Sequence, residues 1–214
     1  MDHPRKKSYI WTTWITGLLA GTDKCNWRAW YKAHFRYAKR QGDGEFDLEQ
    51  WTRQHDRMTA VRAEKLKESG WTVRLEDDNA FKLDGDVTTL SGKPDILALR
   101  ESEKRALVID EKSGRARDSD SWQVLIYMFA LPLIWAKGWR IDGEVEYRGG
   151  GLSVPAEQLS LDVTNKIVAK VRLVGGDEEP SRVPSANECR FCDILSCPDR
   201  WADKSKSADA SEYF

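Results

Sequence analysis

Two short apolar runs joined by a polar turn constrain the fold of this chain more than any other feature. The runs are 92–99 and 106–112, and the turn lies at 101–104. Alternating and β-branched residues in runs that flank a polar turn predict a β-hairpin. With the turn centred between residues 102 and 103, strand residues whose numbers add up to 205 lie opposite each other.

This register brings two carboxylates together. Asp95 faces Asp110, and directly opposed strand residues have Cβ atoms only about 4.5–5.5 Å apart, where like charges are destabilising unless something neutralises them. A divalent cation is the obvious neutraliser. Because side chains alternate along a strand, Asp110 and Lys112 point to one side, whereas Glu111 points to the other.

Two carboxylates with a nearby ammonium group suit phosphodiester hydrolysis. Hard oxygen ligands hold Mg²⁺ or Mn²⁺, the metal polarises the phosphodiester and acidifies a water, and the ammonium steadies the attacking hydroxide or the developing charge. The alternative is that these residues form an ordinary ion pair on the surface. The apolar run 106–109 favours a site, because a buried strand that ends in charged residues usually delivers them into one.

The remaining pattern predicts helices around a strand-rich middle. Apolar residues three and four apart predict a helix at 22–40 and another at 47–69, the second with a capping box at Asp47 and Gln50. The other predicted helices lie at 121–137, bent or interrupted at Pro132 and ended at Gly138, and at 155–173. Strands are predicted at 71–76, 80–90, 92–99, 105–112 and 141–147.

Composition limits the class of protein and its location. The chain has 214 residues, of which 40% are hydrophobic and 32% are charged, which argues against a disordered or membrane-spanning chain. We expect one domain over 1–202 and a disordered tail at 203–214. A basic start followed by the apolar stretch 9–20 superficially resembles a secretory signal. Four cysteines suit a reducing compartment, so the expected location is the cytoplasm.

The formal net charge of −1 means that any surface for nucleic acid must be local. The basic cluster in the first predicted helix could equally be a solvated helix face. The chain has ten tryptophans, whose rings could stack on the bases of a single strand. Most of them are expected in the core, and Trp122 is the candidate for strand contact. The basic candidates are Arg5, Lys6 and Lys7; Arg28, Lys32, Arg36, Lys39 and Arg40; and Arg115 with Arg117.

The cysteines have a one-plus-three arrangement. Cys25 stands alone, whereas Cys189, Cys192 and Cys197 form C-x2-C-x4-C followed by a proline. A Cys-x-x-Cys spacing suits metal ligation or redox chemistry better than disulfides. Zinc is commonly held by two Cys-x-x-Cys pairs, and a proline after the last cysteine is closer to iron–sulfur ligation, so the spacing alone leaves both groups open.

The hairpin also carries a family resemblance. The stretch 92–95, Gly-Lys-Pro-Asp, followed by 108–114, Val-Ile-Asp-Glu-Lys-Ser-Gly, resembles the Gly-x-x-Asp and Ile-Asp-x-Lys-x-Gly motifs of RecB-like PD-(D/E)XK nucleases. Gln123 and Tyr127 match the Gln-x-x-x-Tyr helix motif of that family, and one helical turn puts them on the same face. The implied fold is α/β, with a restriction-endonuclease-like core in which helices flank a central mixed β-sheet.

The resemblance implies roles for the residues that match its motifs. Asp95 and Asp110 would bind metal and Lys112 would be catalytic, whereas Gln123 and Tyr127 would contact the site or the strand. His55 resembles an upstream histidine that is an additional metal ligand in many members, although a lone histidine on a helix is more often structural. Glu111 would point away and could still ligate metal through its backbone carbonyl.

The cysteines extend the resemblance to iron–sulfur nucleases. Their one-plus-three placement around the nuclease motifs resembles AddB-type helicase-nucleases and CRISPR-associated RecB-like exonucleases, with their phage relatives. This implies a 4Fe-4S cluster held by Cys25, Cys189, Cys192 and Cys197, which would join the N- and C-terminal segments. The resemblance spans 25–198 and departs in the last interval, where members often have one more residue between the final cysteines.

The implied activity is a Mg²⁺- or Mn²⁺-dependent exonuclease that acts on single-stranded DNA or DNA ends, with a structural iron–sulfur cluster. The alternative is a partner-dependent subunit that binds or processes DNA ends within a CRISPR adaptation or recombination complex and has little activity alone. An intact set of Asp95, Asp110 and Lys112 argues against pure binding.

Overall fold

The computed structural model describes residues 2–39 and 47–201, which form six α-helices and ten β-strands. The helices are α1 (Thr16–Ala20), α2 (Asn26–His34), α3 (Leu48–Glu68), α4 (Asp118–Ile134), α5 (Leu161–Gly175) and α6 (Ala186–Phe191). The strands are β1 (His3–Pro4), β2 (Ser8–Trp11), β3 (Phe35–Arg36), β4 (Thr72–Leu75), β5 (Phe81–Asp84), β6 (Thr88–Gly92), β7 (Ile96–Arg100), β8 (Arg105–Lys112), β9 (Arg140–Tyr147) and β10 (Gly150–Val154).

A five-stranded mixed sheet forms the centre of the fold. Its strand order is β10-β9-β8-β7-β4, and only β8 and β9 within it run parallel. A three-stranded sheet of order β2-β6-β5 lies beside it, and in that sheet β2 and β6 run parallel. Helix α4 connects β8 to β9, as a crossover between parallel strands requires.

The two faces of the central sheet are covered by different helices. Leu97 and Val108 face the main core, which includes the buried side of α4. Their neighbours along the strands, Ala98 and Ile109, pack with Leu66 of α3 in a separate cluster. Because strand side chains alternate, this places α4 on one face and α3 on the other. The predicted α/β fold, with a central mixed sheet flanked by helices, is confirmed.

Helix α3 matches its prediction closely. The Asp47 side chain accepts a hydrogen bond from the backbone N–H of Gln50 at 2.8 Å, which satisfies one of the free donors of the first turn. The helix ends at Glu68, and Gly70 follows in the left-handed conformation with φ of 80°. Helix α4 contains Pro132 and ends at Ile134, before the predicted end near Gly138.

Several other boundaries differ from the prediction. The apolar stretch 9–20 forms part of β2 and the short α1, and its buried Ile10 and Leu18 belong to the main core. The predicted strand 80–90 is two strands, β5 and β6, joined by a turn. Strand β10 was not predicted, and α5 begins at Leu161 because Ser160 caps it.

The helix predicted at 22–40 is shorter in the structure. It begins at Asn26 and gives way to β3 after His34. Arg40 and the tail predicted at 203–214 lie outside the described residues. Within the described ranges, no helix combines the length and the apolar character that crossing a membrane would require.

Candidate active site

The hairpin of β7 and β8 has the predicted register. Ile96 pairs with Ile109, and Arg100 pairs with Arg105, so the paired numbers add up to 205. Asp95 lies one residue before β7. The Asp95 carboxylate accepts a hydrogen bond from the backbone N–H of Glu111 at 2.7 Å. Asp95 and Asp110 therefore lie side by side at one end of the hairpin.

Asp110 lies at the centre of a polar network on the α4 side of the sheet. Its Oδ1 accepts a hydrogen bond from Gln123 Nε2 at 2.6 Å, and its Oδ2 lies 2.5 Å from Lys112 Nζ. Lys112 in turn donates to Gln123 Oε1 at 3.0 Å. Gln123 Nε2 also donates to the Tyr127 hydroxyl at 2.8 Å. The structure thus joins three other predicted residues, Lys112, Gln123 and Tyr127, to the Asp110 carboxylate in one network.

Burial makes the charged form of Asp110 costly. Only 2% of the residue is exposed, and this desolvation raises the pKa of its carboxyl to about 7. Lys112 opposes the rise, whereas the negative charge of Asp95 adds to it. Asp110 Oδ2 has the Lys112 ammonium beside it at 2.5 Å and no further hydrogen-bond donor among the described residues. A buried carboxylate oxygen with a spare lone pair is a suitable ligand for a cation.

The pair of aspartates fits a hydrated divalent ion. Within the described residues, no set of three or more His, Cys, Asp or Glu side chains is arranged to hold a metal ion by itself. Mg²⁺ is usually bound by one or two carboxylates and keeps several waters. Asp95 and Asp110 supply that number, so a cation here would complete its ligands from water or backbone oxygens.

His55 reaches the site from α3, on the other side of the sheet. Its Nε2 lies 3.5 Å from Asp95 Oδ1 and 3.9 Å from Glu76 Oε1. The contact with Asp95 raises the pKa of His55, and burial opposes this rise. The Trp51 ring stacks on the imidazole, with centroids 5.2 Å apart and planes 7° from parallel. His55 is therefore fixed in place next to a predicted metal ligand.

Glu111 points to the α3 side, as the alternation along β8 predicts. Its Oε2 accepts a hydrogen bond from the Thr59 hydroxyl at 2.7 Å, whereas its Oε1 is buried without a hydrogen bond from the described residues. Burial raises the pKa of Glu111, and the Thr59 hydrogen bond opposes that rise. The Glu111 carboxylate and the Asp110 carboxylate therefore face opposite sides of the sheet.

Sequence reasoning missed two charged residues beside the site. Glu76 follows β4, and its Oε2 binds Lys93 Nζ at 2.9 Å. Its backbone has a φ of 41°, a conformation that non-glycine residues rarely adopt. Its N–H donates to the backbone carbonyl of Asp95 at 3.0 Å. The end of a predicted strand at Glu76 was the only signal, and it carried no information about the Lys93 partner, which lies 17 residues away.

The four cysteines line one recess, which we call the cysteine recess. All of them are free thiols, and the recess has an empty volume of ≈ 370 Å³, including the part open to solvent. Burial, with the neighbouring cysteines adding to it, raises the pKa of Cys197. The structure thus brings the N-terminal Cys25 to the C-terminal Cys189, Cys192 and Cys197.

The basic clusters and Trp122 have mostly structural surroundings. Arg28 binds the Asp23 carboxylate, and Lys32 Nζ binds Asp193 at 2.7 Å, so both charges are balanced locally. Trp122 is partly buried and packs against the main core. The exposed aromatic ring next to the site is instead Trp51, which stacks on His55.

Both the sequence and the fold have known relatives. The model of the PD-(D/E)XK nuclease superfamily matches residues 22–197. The crystal structure of SSO0001 is similar in fold, with a TM-score of 0.51 and 14% sequence identity over 94% of this chain and 91% of that chain. No curated protein matches the sequence. Because the family match covers most of the chain and includes the whole site, this protein belongs to the PD-(D/E)XK nuclease superfamily.

Proposed function

We propose that this chain is a Mg²⁺- or Mn²⁺-dependent exonuclease that hydrolyses phosphodiester bonds of single-stranded DNA or of DNA ends. The observation that carries this proposal is the placement of two carboxylates side by side at the end of a buried hairpin. Asp95 and Asp110 lie together there, and Lys112 is held against the second of them. The superfamily match supports nuclease chemistry, and the restriction to DNA ends rests on the resemblance to RecB-like exonucleases.

In this proposal Asp95 and Asp110 hold the cation, with the Glu111 carbonyl and His55 as further ligands. A bound divalent ion would supply an acidified water and polarise the phosphodiester. Asp110 is fixed for this role by Gln123, whose amide donates to one oxygen and leaves the other facing Lys112. The backbone N–H of Glu111 fixes Asp95 in the same way.

Lys112 has the position needed to orient the attacking water. Its ammonium donates to Gln123 and contacts Asp110, which leaves hydrogen-bonding capacity for a water or a phosphate oxygen. The side chain is 26% exposed, so substrate can reach it from solvent. Tyr127 supports the same arrangement, because its hydroxyl accepts from Gln123 and donates to the backbone carbonyl of Lys93 at 3.3 Å.

The test is cleavage of end-labelled oligodeoxynucleotides in Mn²⁺. Asp110→Asn should lower the rate by at least about 100-fold, the size of effect seen when one preorganised active-site group is removed. The control is Asp56→Asn, which removes an exposed carboxylate from α3. Equal cleavage by wild type and Asp110→Asn would reject the site.

The product pattern distinguishes exonuclease from endonuclease activity. An exonuclease should shorten a linear strand one step at a time and leave a single-stranded circle intact. Cutting of the circle would contradict the restriction to ends. Wild-type protein that binds DNA ends without cutting them would favour the alternative, a processing subunit that needs partners from a CRISPR adaptation or recombination complex.

We also propose that the cysteine recess holds a structural 4Fe-4S cluster, which ties 1–202 into one domain. The support is that all four cysteines line one recess, together with the hydrogen bonds around them. Binding of the cluster would have to draw the thiols closer together, because no three of the described His, Cys, Asp or Glu side chains are arranged to hold a metal ion as they stand. Glu188 accepts hydrogen bonds from the backbone N–H of Cys25 at 3.2 Å, and Arg200 donates to the carbonyl oxygens of Cys189 and Cys192 at 2.6 and 3.1 Å.

Metal analysis of anaerobically purified protein tests the cluster. We expect iron and sulfide in equal amounts, a visible absorption band, and their loss in Cys192→Ser. Ser196→Ala, a substitution in the same segment that keeps all four cysteines, is the control. Zinc without sulfide would reject the proposal, and the readout does not depend on nuclease activity.

A further inference from the structure

A groove on the α3 side of the sheet carries positive charge that the active site does not use. It lies between α3 and the ends of β8 and β9 and has a volume of ≈ 230 Å³. Its lining includes the cations Arg57, Arg62, Lys65 and Arg148, together with the carboxylate of Glu111. We call it the α3 groove. Its basic lining contrasts with the net charge of −1 for the whole chain.

Three of these four cations have no carboxylate partner in the described part of the chain. Arg62 is neutralised, because it donates to both oxygens of Glu144 at 2.8 Å. Arg148 donates to the neutral amide of Gln54, which leaves its charge unbalanced. The side chains of Arg57 and Lys65 are exposed, and neither makes an ion pair or a side-chain hydrogen bond with a described residue.

Acidic groups in the groove do not cancel this charge. Glu111 is buried and bound by Thr59, so its carboxylate faces the floor of the groove. Glu146 is the other lining carboxylate, and it contacts Glu144. Burial, with this contact adding to it, raises the pKa of Glu144 to about 7. The exposed wall of the groove on α3 is therefore basic.

The α3 groove lies near the candidate active site. Glu111, on its floor, directly follows Asp110 in β8, and Thr59, which binds Glu111, lies one turn after His55 on α3. Arg57 and Lys65 are eight residues apart, which is about 12 Å along a helix axis, so the two cations can contact different phosphates of one strand. Cations in a row beside a nuclease site match the backbone of the substrate.

We propose that the α3 groove binds the sugar-phosphate backbone of a DNA single strand next to the scissile phosphate. The inference rests on the proposed function, since it extends the same site. The contact between Arg148 and Gln54 joins the β9–β10 turn to α3, so the cations of both walls lie within reach of one strand.

Binding and cleavage of oligo(dT) test this proposal separately. The first readout is fluorescence anisotropy of a labelled strand in EDTA over a range of salt concentrations. The test variant is Arg57→Gln with Lys65→Gln. The matched control is Arg53→Gln with Lys67→Gln, which removes two cations from the same helix that are paired with Glu49 and Glu64. Thermal melting checks that both variants are folded.

Loss of two phosphate contacts should change binding by a predictable amount. Each contact to a single strand contributes about 0.7 to the slope of log K against log salt, so the slope should fall by about 1.4 and affinity in 0.1 M salt by about 25-fold. The control should bind as wild type does. In Mn²⁺ the groove variant should lose cleavage efficiency through a higher KM.

Other results would overturn the proposal in distinct ways. Equal binding by the groove variant and wild type would remove the groove from the substrate path. Equal weakening of both variants would mean a general effect of charge. If the groove variant weakens binding of a duplex as strongly as binding of the single strand, the assignment of the groove to one strand is wrong. If wild type binds through the groove but cuts nothing in Mn²⁺, the groove stands and the proposed nuclease function fails.

Discussion

Replacing Asp110 by asparagine should stabilise the metal-free protein at pH 8, although the substitution removes one member of an ion pair. The carboxylate is buried, and its desolvation outweighs the attraction of Lys112, so the pKa of Asp110 is raised to about 7. A buried carboxylate whose desolvation exceeds the attraction of its partner is destabilising in its charged form. Asparagine keeps the shape of the side chain and removes the charge.

The magnitude follows from proton binding. In the unfolded chain Asp110 loses its proton near its ordinary pKa of 3.8, whereas in the folded chain it keeps the proton up to about pH 7. Folded protein binds more protons between these values, so its stability falls as the pH rises through this window. At about 1.4 kcal/mol per pH unit the full loss is about 4 kcal/mol, of which about 3 kcal/mol falls between pH 5 and pH 8.

Urea unfolding in EDTA at pH 5 and pH 8 measures this difference. From pH 5 to pH 8, the free energy of unfolding of wild type should fall by about 3 kcal/mol more than that of Asp110→Asn, by the same proton-linkage argument. Asp56→Asn should behave as wild type, because that carboxylate is exposed. Mn²⁺ should restore the stability of wild type at pH 8 and leave Asp110→Asn unchanged. If Asp110→Asn is instead less stable than wild type in EDTA at pH 8, the aspartate and Lys112 form a structural ion pair and the reasoning is wrong.

Three further substitutions test the surroundings of the site. Gln123→Ala should lower kcat in Mn²⁺ by about 10- to 100-fold, because it bridges the carboxylate and the lysine; an unchanged kcat would contradict this. Gly92→Ala should lower the free energy of unfolding in urea by about 1–3 kcal/mol, because a Cβ there would lie 2.7 Å from Tyr127 Cε1. Unchanged stability would mean that the tyrosine ring can move. Thr59→Val should lower the free energy of unfolding at pH 8 by about 1–3 kcal/mol, because the buried Glu111 carboxylate loses the hydrogen bond from the Thr59 hydroxyl. Melting curves that match wild type would refute this stabilising role of Thr59.

The parts of the site that the sequence predicts well are those set by local geometry. The period of two along β8 correctly separates Asp110 and Lys112 from Glu111, and the turn length fixes the register with β7. The capping residue and the following glycine likewise fix both ends of α3. In each case the controlling residues are within a few positions of one another, so no knowledge of the tertiary fold is needed.

The parts that the sequence does not predict depend on contacts between distant segments. Strand β2 pairs in parallel with β6, eighty residues later in the chain. Without that partner, the apolar stretch 9–20 that contains part of β2 superficially resembles a secretory signal. Glu76 reaches His55 only because β4 lies beside α3. The α3 groove combines cations from α3 with Arg148, which is far along the chain. Strand β10 begins with two glycines and exposed residues, which carry no strand signal.

The packing of α2 against the last described segment has a consequence for synthesis of the protein. Tyr37 hydrogen-bonds Asp193, and Trp27 and Trp30 bury their rings in a cluster with Ile194. These partners are more than 150 residues apart, as in the Tyr37–Asp193 pair with a separation of 156. At a translation rate of about 5–20 residues per second, the indole rings wait roughly 8–30 s on the ribosome before their partner emerges. The nascent chain therefore exposes aromatic surface during that interval, and chaperones that bind such surface have time to act on it.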